Sequence, residues 1–186
     1  FIFFFFFLTP LSAQTTEMET QYNALSARFD GRDKLFQRDL KTYLQAYPYT
    51  TFLDEVHFMQ GVLQVEKGHY KNGLKILEQV EAKVLTRPHQ EDYSFYRGYG
   101  YLMVQEYQRA SIYFGQLSKS NGRYASRGTY YYGYCQYKLG LYDKALPAFK
   151  QLEKDPAYSK TIPYYLTQIY YAQGEYEEVT KRAETL

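Results

Sequence analysis

The chain has 186 residues, which is enough for one domain or for a short array of stacked repeats. Hydrophobic residues make up 45% and charged residues 23%, so the chain can bury a core and is not expected to be disordered. Its 22 basic and 20 acidic residues nearly cancel to a formal charge of +2, which excludes the basic surface of a nucleic-acid-binding protein, and its single cysteine excludes a disulfide framework.

Residues 1–8 contain only phenylalanine, isoleucine and leucine. Eight apolar residues are too few to cross a bilayer, which takes about 20, but they suit the apolar core of a secretory signal. Small residues and a proline follow, so we predict a signal peptide at 1–13, cleaved after Ala13 and incomplete at its start. No cysteine follows that could carry a lipid anchor. The sequence therefore predicts an exported, periplasmic or cell-envelope protein without a membrane span.

A degenerate helix pair is predicted next, at 17–30 and 33–47, within a segment that extends to residue 50. From residue 51 a repeat takes over, because a turn residue, one variable residue and a tyrosine recur. The intervals between successive tyrosines of this pattern are 37, 35 and 34. The four turn residues and their tyrosines are Gly68 with Tyr70, Gln105 with Tyr107, Gly140 with Tyr142, and Gly174 with Tyr176.

Seven residues before each turn residue the sequence has Gly61, Gly98, Gly133 and finally Thr167. A glycine inside a helix costs about 1 kcal/mol relative to alanine. Its return at one register therefore predicts that a neighbouring helix approaches closely at that point.

Each period divides into two helical segments joined by a short turn, for example 123–138 and 142–153. A helix, a glycine turn and a second helix at a period near 34 resemble the tetratricopeptide repeat (TPR). Gly133, Gly140, Tyr142, Ala145 and Phe149 match that family's small, turn, aromatic, small and bulky positions. The resemblance implies an all-α, right-handed TPR solenoid of about ten helices. Its units would cover about 51–88, 89–122, 123–158 and 159–186, and the array would be truncated at its C-terminus.

Two stretches carry a closer resemblance to bacterial envelope proteins. Residues 43–48 with 54–58 resemble the repeat junction of envelope TPR proteins of the β-barrel-assembly and Tol–Pal type. Residues 123–131, 142–146 and 163–170 resemble the N-terminal part of long exported TPR proteins of Bacteroidota. The resemblance implies a fold and a compartment rather than a particular activity.

The residues that could carry chemistry do not form a recognisable constellation. His57, His69 and His89 have no metal-ligand spacing, and Cys135 falls where a repeat helix needs a small buried residue. The glycines stand singly at repeat register and form no phosphate-binding loop. We therefore expect no enzyme activity, no cofactor and no metal.

The candidate binding residues follow from the family, in which the first helix of each pair lines the concave face of the superhelix. Within each helix they fall at i, i+4 and i+7, which places them on one face. Packing against the next repeat is the open alternative for the tyrosines. The candidates are Phe58 in the first unit, Phe95, Tyr99 and Leu102 in the second, Arg127, Tyr130, Tyr134, Tyr137 and Lys138 in the third, and Tyr164, Gln168 and Tyr171 in the fourth.

The resulting functional hypothesis is a non-catalytic scaffold that binds a segment of another envelope protein on this face. Arg127 and Lys138 at the ends of the third-unit stripe favour an acidic segment. The alternative is a glycan-binding helical-repeat protein of the outer-membrane nutrient-capture type, in which aromatic rings stack on sugars.

Overall fold

The computed structural model describes residues 11–183, and within this range the chain forms ten α-helices and no strand. The first ten residues of the predicted signal peptide lie outside the described residues, and its last three begin the first helix. A short 3₁₀-helix, Ala82–Val84, precedes the fifth helix. The helices are α1 (Leu11–Asp30), α2 (Phe36–Ala46), α3 (Leu53–Glu66), α4 (Tyr70–Leu77), α5 (Arg87–Met103), α6 (Tyr107–Leu117), α7 (Ala125–Lys138), α8 (Tyr142–Leu152), α9 (Ile162–Gln173) and α10 (Tyr176–Ala183).

The helices pack in chain order as antiparallel pairs. Each helix contacts its neighbours along the chain, and the first helices of adjacent pairs also touch, as α3 touches α5. This sequential stacking is the arrangement of a helical-repeat solenoid. The prediction of an all-α repeat solenoid is confirmed.

The turns inside the four later pairs require left-handed backbone. Gly68, Gly140 and Gly174 have φ of 81°, 72° and 79°, values that glycine adopts without steric cost. Gln105 occupies the same register and has φ of 64°, although it carries a side chain. The turn geometry is therefore a property of the repeat, and the chain accepts strain at Gln105 to keep it.

The recurrent glycine inside α3, α5 and α7 allows the two helices of each pair to approach closely. A Cβ added to Gly61 would lie 2.6 Å from Cγ of Leu77, and one added to Gly133 would lie 3.0 Å from Cε1 of Phe149. A real side chain at either position would push the second helix of the pair outward. The close approach predicted from the glycine register is thus present.

The buried side chains form two clusters, one running from Leu25 to Cys135 and one from Ala145 to Tyr170. Tyr134 packs against both clusters, so it lies at their boundary. Cys135 is fully buried, and burial raises the pKa of its thiol to about 12. Cys135 is thus a packed core residue with a protonated thiol, as its register predicted.

Candidate functional site

An open groove of about 500 Å³ lies where the first helices of three successive pairs meet. Six of its nine lining residues are tyrosines, and we call it the tyrosine groove. The lining residues are Tyr99, Leu102 and Met103 of α5, Gln105 in the turn, Tyr107 of α6, Tyr130, Tyr131 and Tyr134 of α7, and Tyr165 of α9.

Helical periodicity and the turn at Gln105 place these side chains together. Residues three or four apart on one helix share a face, which aligns Tyr130 with Tyr134. The left-handed turn at Gln105 starts α6 beside α7, so that the Tyr107 ring meets the Tyr134 ring edge-on with centroids 6.3 Å apart. Across the groove the rings of Tyr99 and Tyr131 are 6.1 Å apart.

The predicted tyrosine stripe on α7 serves both in packing between pairs and in lining the groove. Tyr130, Tyr134 and Tyr137 are half-buried, and their ring centroids lie 6.4, 5.9 and 5.2 Å from that of Tyr165. Tyr130 and Tyr134 also line the groove, whereas Tyr137 turns towards Tyr142, 5.9 Å away. The sequence left open whether these tyrosines line a binding face or pack against the next repeat. Tyr130 and Tyr134 do both, whereas Tyr137 serves in packing.

Three of the candidate residues are buried, of which Leu102, 9% exposed, still borders the groove. For the two aromatic ones, Phe58 and Phe95, the prediction of an accessible surface is wrong. Phe58 is 0% exposed and Phe95 is 9% exposed. The Phe58 ring packs against His89 at 4.9 Å, and the Phe95 ring stacks on Tyr124 at 4.3 Å. In both cases a ring at the start of the next pair covers the position, and register alone does not reveal this cover.

The remaining candidates lie at or beyond the edges of the groove. Lys138 is exposed, and its Nζ lies 5.8 Å from the centre of the Tyr107 ring, so that its charge flanks the groove. Arg127 is exposed one helical turn before Tyr130. Tyr164 and Tyr171 are 58% and 63% exposed on α9 and do not line the groove.

A second, polar pocket of about 380 Å³ lies between the end of α1 and the start of α5. No motif or spacing in the sequence predicts this pocket. Its lining residues are Ser26, Phe29, Asp30, Arg32, Thr86, Pro88, His89, Asp92 and Arg123.

His89 is the buried centre of this pocket. Its Nδ1 lies 2.7 Å from Oε2 of Glu55, and its Nε2 lies 3.1 Å from Oδ1 of Asp30. Burial alone would lower the pKa of His89, but the hydrogen bonds to the two carboxylates and their charges outweigh burial, so the pKa is raised. Both ring nitrogens of His89 are thus occupied by carboxylates, so neither is available to a further partner.

Asp92 is the buried carboxylate of the same pocket, and its Oδ1 holds two neighbouring side chains. It accepts hydrogen bonds from the guanidinium of Arg123 and, at 2.5 Å, from the hydroxyl of Tyr124. These bonds tie α5 to the segment that enters α7. The polar pocket thus joins three helix pairs through its own side chains, which indicates a structural network.

The residues that the structure describes contain neither a cluster of metal ligands nor a helix suited to span a membrane. No group of three or more His, Cys, Asp or Glu side chains between residues 11 and 183 could hold a metal ion. No helix in that same range is both long enough and apolar enough to cross a membrane.

Comparison with known proteins identifies the fold. No protein-family model and no curated protein matches the sequence. Among solved structures, a mutant of MamA superposes with a TM-score of 0.70 at 20% identity, over 92% of this chain and 94% of that one. MamA MSR-1 gives 0.68 at 22% identity over 89% and 92%, and MamA AMB-1 gives 0.70 at 19% identity over 92% and 96%. The likeness supports a TPR-type helical-repeat fold for this chain.

Proposed function

We propose that this chain is a non-catalytic scaffold that binds a segment of another protein of the bacterial cell envelope in the tyrosine groove. The observation that carries the proposal is the groove itself. Three successive helix pairs contribute tyrosine rings to one open groove with a volume of about 500 Å³. A helical-repeat fold of this type presents extended surfaces to partners and encloses no reaction chamber.

The chemistry of the groove suits a polypeptide ligand. A tyrosine offers a rigid apolar ring together with a hydroxyl that can donate or accept a hydrogen bond, and interface residues of this kind often dominate binding energy. Tyr130 and Tyr134 are already held by Tyr165, and Tyr99 is held by Tyr131. Because these rings are fixed before binding, little conformational entropy is lost when a ligand arrives.

The charges beside the groove favour an acidic segment. Arg127 and Lys138 are exposed at the two ends of the tyrosine stripe on α7. Cations at the rim of a site raise the association rate of an acidic ligand and fix its direction more than they raise affinity. We therefore expect the bound segment to carry carboxylates at its ends and apolar residues between them.

The location in the cell envelope is proposed from the sequence. It is supported by the apolar run at residues 1–8 and the small residues that follow it, which are typical of a secretory signal. Fusion of the complete natural leader, continued through residue 20, to a reporter that is active only after export tests this part of the proposal. A reporter retained in the cytoplasm would remove the envelope location but would leave the groove hypothesis intact.

Site-specific photo-crosslinking tests the groove as the binding site. A photoreactive phenylalanine analogue is placed at Met103, which is 42% exposed in the groove, and in a second chain at Ile112, which is 58% exposed on α6 outside it. We expect a defined partner to be crosslinked from Met103 and not from Ile112. Equal crosslinking from both positions would contradict the proposal.

A glycan screen of the purified chain separates the rival function. Sugar rings could stack on the same tyrosines. If an oligosaccharide bound the chain, if Met103→Glu abolished that binding, and if no protein were crosslinked from Met103, the ligand of the groove would be a glycan and not a protein.

A further inference from the structure

The side chains of the tyrosine groove carry polar groups but no charge. All nine lining residues are uncharged, and the six tyrosines among them are half-buried. Four of the six hydroxyls form no hydrogen bond with any residue between 11 and 183, and all four remain open to solvent. They belong to Tyr99, Tyr107, Tyr131 and Tyr134. The groove therefore offers a ligand hydroxyls that the fold itself does not use.

The tyrosine rings of the groove meet edge to face. The ring planes of Tyr107 and Tyr134 stand at 73°, and those of Tyr134 and Tyr165 at 81°. The planes of Tyr99 and Tyr131 stand at 61°. Because neighbouring rings stand at steep angles, the groove wall is ridged, and it exposes ring faces beside ring edges. Such a wall suits compact apolar rings that pack between the tyrosines.

The backbone of the groove wall offers a ligand no partner. The wall is built from α5, α6, α7, α9 and the turn at Gln105, and the part of the chain from 11 to 183 contains no strand. Backbone groups inside a helix bond within that helix, so a ligand cannot add to this wall as a β-strand. A helical ligand would also satisfy its backbone internally, and it would leave the open tyrosine hydroxyls unpaired.

A segment in the polyproline II conformation has the complementary chemistry. Its backbone has no internal hydrogen bonds, so every carbonyl oxygen is free to accept one from a tyrosine hydroxyl. Proline has no backbone N–H, so a proline-rich segment brings few donors that would need an acceptor in the groove. Its stiff backbone also loses little entropy on binding, which is why aromatic-lined grooves suit proline-rich ligands.

The two cations beside the groove set a length for such a segment. Arg127 and Lys138 are eleven residues apart on α7, which is about three helical turns, so they lie on the same face with a rise of about 16 Å between them. A polyproline II chain covers about 16 Å in five residues. Two acidic residues with four residues between them would therefore reach both cations.

Resting on the function proposed above, we infer that the ligand of the tyrosine groove is a proline-rich segment in the polyproline II conformation with an acidic residue at each end. Its proline rings pack against the tyrosine rings, and its carbonyl oxygens accept hydrogen bonds from the open hydroxyls. Its two carboxylates lie near Arg127 and Lys138, which fixes the register of the segment along α7.

Three fluorescently labelled peptides test this ligand class by anisotropy titration with the purified chain. The first has four prolines between two aspartates, the second has alanines in place of the prolines, and the third has lysines in place of the aspartates. We expect the first peptide to bind at least tenfold more tightly than either of the others. No binding of the first peptide, or equally tight binding of the second or the third, would overturn the inference.

Removal of single hydroxyls tests the site with the same proline peptide. Tyr134→Phe keeps the ring and removes an open hydroxyl of the groove, whereas Tyr137→Phe removes a hydroxyl on the same helix outside the groove. We expect about fivefold weaker binding for Tyr134→Phe and unchanged binding for Tyr137→Phe. Thermal stability is recorded for both variants. Equal affinities of the two folded variants would overturn the inference.

Failure of this inference is distinguishable from failure of the proposed function. A segment crosslinked from Met103 that contains no proline would overturn the polyproline II ligand and would leave the protein-binding scaffold standing. The scaffold itself fails only in the comparison of crosslinking from Met103 and Ile112, which does not depend on the conformation of the ligand.

Discussion

The ring of Tyr165 stacks on the ring of Phe149, with centroids 4.9 Å apart and planes 8° from parallel. This contact holds α9 against α8, and it places Tyr165 where Tyr130, Tyr134 and Tyr137 close around it. Tyr165 also lines the tyrosine groove. One ring therefore joins two helix pairs and supports the rings proposed to bind the partner.

Replacing Tyr165 should destabilise the chain far more than replacing its neighbour. Tyr165→Ala removes the stack on Phe149 and the ring contacts with Tyr130, Tyr134 and Tyr137 on α7, and we expect a loss of about 3–5 kcal/mol in the free energy of unfolding. Tyr164→Ala, at a position that is 58% exposed, should stay within about 0.5 kcal/mol of the original chain. Urea unfolding measures both variants. Similar losses at the two positions would show that Tyr165 is not the packing centre.

The strained turn residue Gln105 offers a stabilising substitution. A left-handed conformation costs a residue with a side chain about 1–2 kcal/mol. Glycine avoids this strain but loses more backbone entropy on folding, so Gln105→Gly should raise the free energy of unfolding by about 1 kcal/mol.

The reverse change serves as the control. Gly140 has the same left-handed φ, and a Cβ added there would meet no atom within 4 Å, so Gly140→Ala tests backbone strain alone. It should lower stability by about 1 kcal/mol. If both substitutions moved the unfolding midpoint in the same direction, the strain at this register would be refuted.

The stability of the chain should depend on pH through His89. Its pKa is raised in the folded state, so its contribution is fully present below the unfolded pKa of about 6.5. The contribution is lost as the pH rises through the folded-state pKa. Thermal unfolding between pH 5 and 9 measures this loss. The charged groups around His89 are Asp30 of α1 and Glu55 of α3, which it contacts, and Arg32, Asp92 and Arg123, which line the same pocket.

A second histidine provides the control for this titration. His57 also lies on a first helix but is only partly buried. His57→Gln should leave the decline in stability with rising pH intact, whereas His89→Gln should flatten it. A decline that persists in His89→Gln would assign the titration to another group.

The fold was predictable because its determinants are periodic. The turns at Gly68, Gly140 and Gly174 and the small residues at Gly61 and Gly133 recur at fixed spacing, and each has one physical requirement. The network of His89 was not predictable in this way. Its partners Glu55 and Asp30 lie 34 and 59 residues away on other helix pairs, and no motif marks a histidine that two helices will surround.

The candidate site was only partly predictable from register. Register predicted Tyr99, Tyr130 and Tyr134 as binding residues, and the structure brings these three side chains into one groove. It placed Phe58 and Phe95 on the same face but could not show that His89 and Tyr124 would cover them. It also omitted Tyr165, because that residue follows Tyr164 by one and so falls outside the i, i+4, i+7 pattern used on α9.

The most direct test of the scaffold proposal compares two charged substitutions in a binding titration. The segment crosslinked from Met103 is synthesised and titrated against the original chain, Met103→Glu and Ile112→Glu, with thermal stability recorded for each. Both positions are exposed apolar residues, but only Met103 lines the groove. We predict at least tenfold weaker binding for Met103→Glu, which is about 1.4 kcal/mol, and unchanged binding for Ile112→Glu. Unchanged affinity in a folded Met103→Glu chain would contradict the tyrosine groove as the binding site.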